Sequence, residues 1–201
     1  MAGTSDSWKT SNIAYKEGRL YRGAAVPGAG ARPTLHTDGS PDSTAHPNAK
    51  HMGATKAGSK LMVKSTQNKV YVDEFRSPII TSIEEVSMGI SAELIGVTDM
   101  ELAGYLLPGV GTRSTAVGYD YVTVGTKAIA YDCILLTYQL IEDTGNYGWF
   151  MLYNALNDTG IEWAQARKEV GFTPVSFVAY ELTSRAAADT TGQFGKQLDI
   201  A

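Results

Sequence analysis

Residues 48–94 decide the fold, and they read NAKHMGATKAGSKLMVKSTQNKVYVDEFRSPIITSIEEVSMGISAEL. A Gly-rich approach at 51–58 leads into short strands, and a Val-Asp-Glu turn at 72–74 precedes a longer one. In that longer strand, apolar residues alternate with polar or small ones at Val86, Met88, Ile90, Ala92 and Leu94. A period of two predicts a strand with one buried and one polar face. The stretch therefore predicts a β-scaffold and contains no catalytic constellation.

The rest of the chain predicts further strands and one short helix. The helix lies near 98–107, where Thr98 and Glu101 have the spacing of a capping box. Residues 128–142 are apolar on both faces, which predicts a central strand covered on both sides. Additional strands are predicted at 147–153, 161–170 and 175–182. This order of elements predicts a mainly β chain, folded as an antiparallel β-sandwich or barrel with one flanking helix.

The 201 residues are expected to form one domain with extensions. Residues 1–60 are interpreted as an extended N-terminal arm with a long Gly/Pro-rich loop, 61–183 as the β-core, and 184–201 as a C-terminal arm. Within the first part, residues 23–47 have almost no large apolar side chain. Such a segment buries too little surface to offset the entropy of ordering it. We expect it to become ordered, if at all, against neighbouring subunits.

The composition excludes some classes of function. The net charge is −4 and the basic residues are scattered, which argues against tight binding of nucleic acid. Charged residues make up 19% of the chain, below the roughly 25% typical of a globular protein. Surface buried against other copies would explain this, as would a globular protein of low charge. The start of the chain lacks the pattern of a signal peptide, and no apolar run suits a membrane span, so we expect no export and no membrane partner.

No catalytic, cofactor-binding or metal-binding residue is predicted. The single cysteine, Cys133, lies in an apolar run, which predicts a buried thiol and excludes an intramolecular disulfide. Three histidines share one polar region with Asp38 and Asp42, but their spacings match no closed zinc pattern. We interpret them as surface histidines: His36, His46 and His51.

The carboxylates allow two interpretations. Glu85 and Glu93 fall on the polar face of the alternating strand, and further carboxylates flank a later strand. They are either ordinary solvated side chains or an acidic face turned toward a lumen, which would repel phosphates. A hydrolase would need a paired acid and base, and a carbohydrate-binding module would need an aromatic platform. The only plausible residues for such an aromatic platform are Trp149 and Trp163, and both lie at positions predicted to face the core.

Several of these segments together resemble the major tail tube proteins of long-tailed bacteriophages. The first are 51–58, Val70 to Glu74 with Pro78, and the alternating strand ending at 90–94. The second half is similar as well, in the segments 167–170 (RKEV), 174–177 (PVSF) and 192–195 (GQFG). The resemblance covers roughly residues 48–195, and residues 23–47 have no assigned counterpart.

The resemblance implies a β-sandwich with one flanking helix that assembles as stacked hexameric rings around a DNA-conducting lumen. Its implied partners are further copies of itself, the tape measure, tail terminator and distal tail proteins, and DNA transiently. Its implied location is the virion tail, after synthesis in the bacterial cytoplasm. The candidate lumen-facing residues are Glu85, Glu93, Glu162 and Glu169. The candidate ring-stacking loop contains His46, Asn48, Lys50, His51 and Lys56. The alternatives are another virion structural protein (tail completion, baseplate hub or capsid decoration) or a small β-sandwich hydrolase or carbohydrate-binding domain.

Overall fold

The computed structural model describes residues 18–70, 80–95, 100–109, 111–139, 147–162, 172–186 and 189–196. Over these residues the chain is mainly β, with antiparallel sheets and one helix. The helix, α1, is Met100–Leu106. The strands are β1 (Arg19–Arg22), β2 (Lys50–His51), β3 (Thr55–Val70), β4 (Ile80–Ile95), β5 (Gly111–Ala116), β6 (Tyr119–Val124), β7 (Asp132–Gln139), β8 (Tyr147–Asn157), β9 (Phe172–Ala179) and β10 (Gly192–Lys196).

Eight strands form one sheet in the order β2-β1-β7-β8-β9-β4-β3, and β10 also pairs with β8. Strands β5 and β6 form a separate two-stranded sheet. The longest pair is β3 with β4, two strands of 16 residues each. Because β3 ends the order of strands, its outer edge has no partner among the described strands.

The alternation in β4 is confirmed over its second half. Met88, Ile90, Ala92 and Leu94 are all buried in the main hydrophobic core. The same core contains residues of β1, β7 and β8, and Leu102, Ala103 and Leu106 of α1. Strands β8 and β9 separate β7 from β4 in the sheet, so the sheet must curl to bring both sides to one core. The short helix closes that core.

Strand β7 is covered on both faces, as its apolar sequence predicts. Ile134 and Leu136 face the main core, whereas Cys133 and Leu135 belong to a second cluster on the opposite face. The predicted burial of Cys133 is confirmed, since the residue is 4% exposed. The second cluster also contains Tyr21, Ala24, Trp149, Met151 and Tyr153.

Residues 23–47 pack against their own chain, which corrects the expectation that they are ordered only by neighbouring subunits. Val26 and Leu35 pack on the second cluster. Local turns supply many of the polar contacts, because Asp42 Oδ1 accepts hydrogen bonds from the amides of Thr44 (2.7 Å) and Ala45 (3.0 Å). The segment is thus held by the packing of Val26 and Leu35 and by side-chain hydrogen bonds within its turns, although it contains few large apolar residues.

The terminal segments also differ from the predicted arms. Strand β1 lies inside the sheet, between β2 and β7, and β10 pairs with β8. The core therefore extends beyond 61–183 in both directions. The β5–β6 hairpin was not predicted, because its alternating Thr, Ser and Tyr residues give little apolar periodicity. The turn at 72–74, Thr98 and most of the strand predicted at 161–170 lie outside the described residues.

We expect Gly39→Ala to lower the free energy of unfolding by about 1–3 kcal/mol. Gly39 has a φ of 78°, and an added Cβ would overlap the ring of Tyr147. The matched control is Gly28→Ala in the same segment, where an added Cβ meets no atom within 4 Å. Urea unfolding followed by tryptophan fluorescence measures both variants. Equal stability of the two would contradict the packing of residues 23–47 described above.

Candidate functional site

The β3–β4 hairpin has one apolar and one polar face, and its apolar face is only partly covered. Near the core, the apolar side chains of β4 are buried. Further along the hairpin the same face carries Leu61 (40% exposed), Val63 (51%) and Val86 (47%). The pairing of Leu61 with Ile90 and of Ser65 with Val86 places these three residues on one face. We call Leu61, Val63 and Val86 the apolar strip.

The opposite face of the hairpin carries both signs of charge. Glu85 and Glu93 are exposed on this face, as predicted from the alternation. Lys60 pairs with Ser91 and Lys64 with Ser87, so the two lysines share the face with the glutamates. The face is therefore mixed in charge and not purely acidic. Of the other two candidate lumen residues, Glu162 is exposed and lies after β8, whereas Glu169 lies outside the described residues.

A groove opens where β4 separates from the rest of the sheet. Strands β9 and β10 lie end to end along one edge of β8, because Leu156 pairs with Val178 and Leu152 with Gly192. Strand β4 follows β9 from Ile95 back to Gly89 but pairs with no part of β10 among the described residues. The space between them, here called the fork groove, has a volume of about 720 Å³. Its lining includes Glu85, Val86, Met88, Tyr180, Glu181 and Asp189.

The residues predicted to form a stacking loop occupy different environments. His46 is 4% exposed, and its Nδ1 accepts a hydrogen bond from the amide of Ala25 at 3.1 Å. Burial lowers the pKa of His46, so the neutral ring is favoured. His46 is therefore part of the packing inside the subunit and not of an exposed surface. Asn48 and His51 are exposed, and the side chain of Lys56 lies outside the described residues.

Lys50, the remaining stacking candidate, belongs to a cluster of charges around Glu101. The Glu101 carboxylate accepts hydrogen bonds from Lys50 Nζ, Arg22 Nη2 (2.5 Å) and Arg113 Nη1 (3.0 Å). Arg113 also binds Asp120 through Nε and Nη2, at 2.9 and 3.0 Å. The cluster joins β1, β2, α1 and the β5–β6 hairpin. The sequence analysis assigned Glu101 only to helix capping, because nothing in the local sequence connects it to residues 12 to 79 positions away.

The Cys133 thiol and the Trp149 ring, two groups considered in the sequence analysis, are both buried. Burial raises the pKa of the Cys133 thiol to about 12, which keeps it protonated and unreactive at neutral pH. Trp149 is 8% exposed, so it cannot belong to an open sugar-binding platform, and Trp163 lies outside the described residues. In the described part of the chain, no three His, Cys, Asp or Glu side chains lie together as a metal site would require.

No protein-family model and no curated protein sequence matches this chain. Among the described residues, no helix has the length and apolarity needed to cross a membrane. The features that point to function are therefore the apolar strip, the mixed polar face and the fork groove.

We expect Glu101→Gln to lower the free energy of unfolding at pH 7 by about 1–2 kcal/mol, since it weakens three charge-assisted hydrogen bonds. The value is at the low end because the partners are partly exposed to solvent. Hydrogen bonds from Lys50 and Arg22 lower the pKa of Glu101. Its stabilisation is therefore present above the pKa of the unfolded carboxyl and is lost as the pH falls through the lower folded pKa.

Urea unfolding of wild type and variant, from about pH 7 down to about pH 2, tests this expectation. The difference between the two proteins should shrink toward the acidic end. Glu93→Gln on the exposed polar face is the control, and we expect it to change stability by less than about 0.5 kcal/mol. A difference for Glu101→Gln that does not change with pH would mean that Glu101 stabilises the fold by packing alone.

Proposed function

We propose that this protein is the structural subunit of a bacteriophage tail tube, polymerising as stacked hexameric rings around a lumen that conducts DNA. The observation that carries the proposal is the half-exposed apolar strip on a long hairpin that extends beyond the core. The mainly β, antiparallel architecture with one helix among the described residues supports the proposal at the level of fold class.

The apolar strip favours assembly with other copies. Its three side chains are 40–51% exposed. Leu61 and Val63 are two residues apart on β3, and Val86 lies diagonally across from Val63 on β4. Contiguous exposed apolar surface is uncommon on monomeric soluble proteins, and where it occurs it commonly marks an interaction site. The outer edge of β3 lies beside it, has no partner among the described strands, and can offer backbone N–H and C=O groups to a further strand. A contact between this surface and a different surface of the next copy is heterologous, and such contacts close into rings or extend into filaments.

The polar face of the hairpin suits a lumen through which DNA passes. If the apolar strip is covered by a neighbour, the opposite face, with Lys60, Lys64, Glu85 and Glu93, remains open. Glutamates beside the lysines offset their attraction for phosphates, so the face would not hold DNA firmly. Glu162 and Glu169 remain candidates for the same lining. Asn48, Lys50 and His51 remain candidates for contacts between rings.

Negative-stain electron microscopy of the purified chain tests the proposal. We expect long hollow cylinders for the wild type, and no cylinders for Val63→Lys, because a charge in the apolar strip opposes its burial. The matched control is Thr66→Lys on the polar face of the same strand, which should still form cylinders. Circular dichroism should show that all three chains are folded.

Two results would overturn the proposal. A wild-type chain that stays monomeric at high concentration would exclude a tube subunit. Single rings or discs that never stack would favour the alternative of a tail-completion, baseplate-hub or capsid-decoration protein.

A further inference from the structure

The fork groove contains a strand edge that pairs with no other strand among the described residues. From Gly89 to Ile95, β4 is hydrogen-bonded to β9, but residues 83–88 face the open groove on that side. Their other edge is paired with β3. Extended backbone with one free edge can accept a further strand, whose main-chain groups would complete the hydrogen bonding.

The charge of the groove restricts what can enter it. Three carboxylates line it, from Glu85, Glu181 and Asp189, and none of the lining residues that the structure describes is Lys, Arg or His. Asp189 is already bound to Arg185 at 2.7 Å and to the Tyr153 hydroxyl at 2.8 Å. Glu85 and Glu181 are both exposed. The groove therefore favours an extended segment that carries positive charge.

One strand of this chain has the required chemistry. Strand β3 is extended, and its outer edge has no partner among the described strands. It carries Lys60 and Lys64 exposed on its polar face. Its apolar face carries Leu61 and Val63. Because β3 is already paired with β4 of its own chain, its outer edge can reach a fork groove only on another copy.

We propose that the fork groove binds the outer edge of β3 from a second copy of this chain. The faces of the two strands then match. The lysines of the incoming β3 lie on the same side as Glu85, while its Leu61 and Val63 continue the apolar side formed by Val86 and Met88. The joined sheet has one apolar and one polar side, as each subunit has alone.

This contact deepens the proposed function, on which it rests, by assigning the two surfaces that meet between neighbouring subunits. It is heterologous, since each copy offers β3 at one place and the groove at another. Each subunit can therefore both donate and accept a strand, and the contact repeats around a ring.

Charge reversal on each side of the contact tests the proposal with full-length chains. One variant carries Glu85→Lys with Glu181→Lys in the groove, and the other carries Lys60→Glu with Lys64→Glu in β3. Each variant alone places like charges opposite one another. We expect the concentration of unassembled chain left after pelleting to rise at least about tenfold for each.

An equimolar mixture of the two variants gives the decisive result. The basic groove of the first accepts the acidic β3 of the second, and the unchanged acidic groove of the second accepts the unchanged basic β3 of the first. We therefore expect assembly to return toward the wild-type concentration, with both chains present in equal amounts in the pellet, as read by mass spectrometry. A defect caused by misfolding would not be rescued by mixing.

The control is Glu93→Lys, which reverses an exposed charge where β4 is already paired with β9, and which should assemble as the wild type does. Variants that assemble normally on their own would overturn the groove contact while leaving the tube proposal intact. Folded variants that remain unassembled when mixed would also overturn it, and would leave the groove to a segment of a different protein. If mixing restores assembly of the two variants but the wild-type oligomers form no hollow cylinders, the contact is supported and the tube proposal is refuted.

Discussion

The pairing of β4 with both β3 and β9 connects the long hairpin to the rest of the sheet. The point where the pairing with β9 ends determines where the fork groove opens. From Gly89 to Ile95 both edges of β4 are engaged, and the inward side chains of this half close the main core. Before Gly89, only the edge toward β3 is paired among the described strands. One continuous strand is thus a core element over half its length and a projecting element over the other half. The apolar strip and the fork groove both result from that division.

The Glu101 cluster holds the seven-residue helix and the β5–β6 hairpin on the curled sheet. A helix this short is not stable by its own hydrogen bonds, so tertiary contacts must fix it. Leu102 and Leu106 bury its apolar side, while Glu101 binds side chains from β1, β2 and β5. The hairpin then has a fixed position, although it pairs with no strand of the main sheet among the described residues.

The sequence predicted the elements whose signal is local. The alternation in β4, the helix near 98–107, the doubly apolar β7 and the burial of Cys133 are all confirmed. What it did not predict depends on distant partners. The sequence analysis assigned residues 19–22 to the N-terminal arm and residues 192–196 to the C-terminal arm. In the structure they are strands, because the first segment pairs with β7 and the second with β8. The fork groove is a property of three strands together, and no periodicity within one strand reports where pairing between two others stops.

The end-to-end arrangement of β9 and β10 bears on how the length of this chain can change. Residues 180–186 leave the sheet after β9, and residues 189–191 return to the same edge of β8, where the amide of Tyr153 donates to the carbonyl of Thr191 at 3.1 Å. The excursion closes on itself through the amide of Leu182 and the carbonyl of Thr190, at 2.8 Å. Entry and exit are therefore neighbours, and the entropy of closing a loop grows only slowly with its length. Insertions and deletions between them leave the register of every strand unchanged, so this is where homologous chains can diverge in length without refolding the sheet.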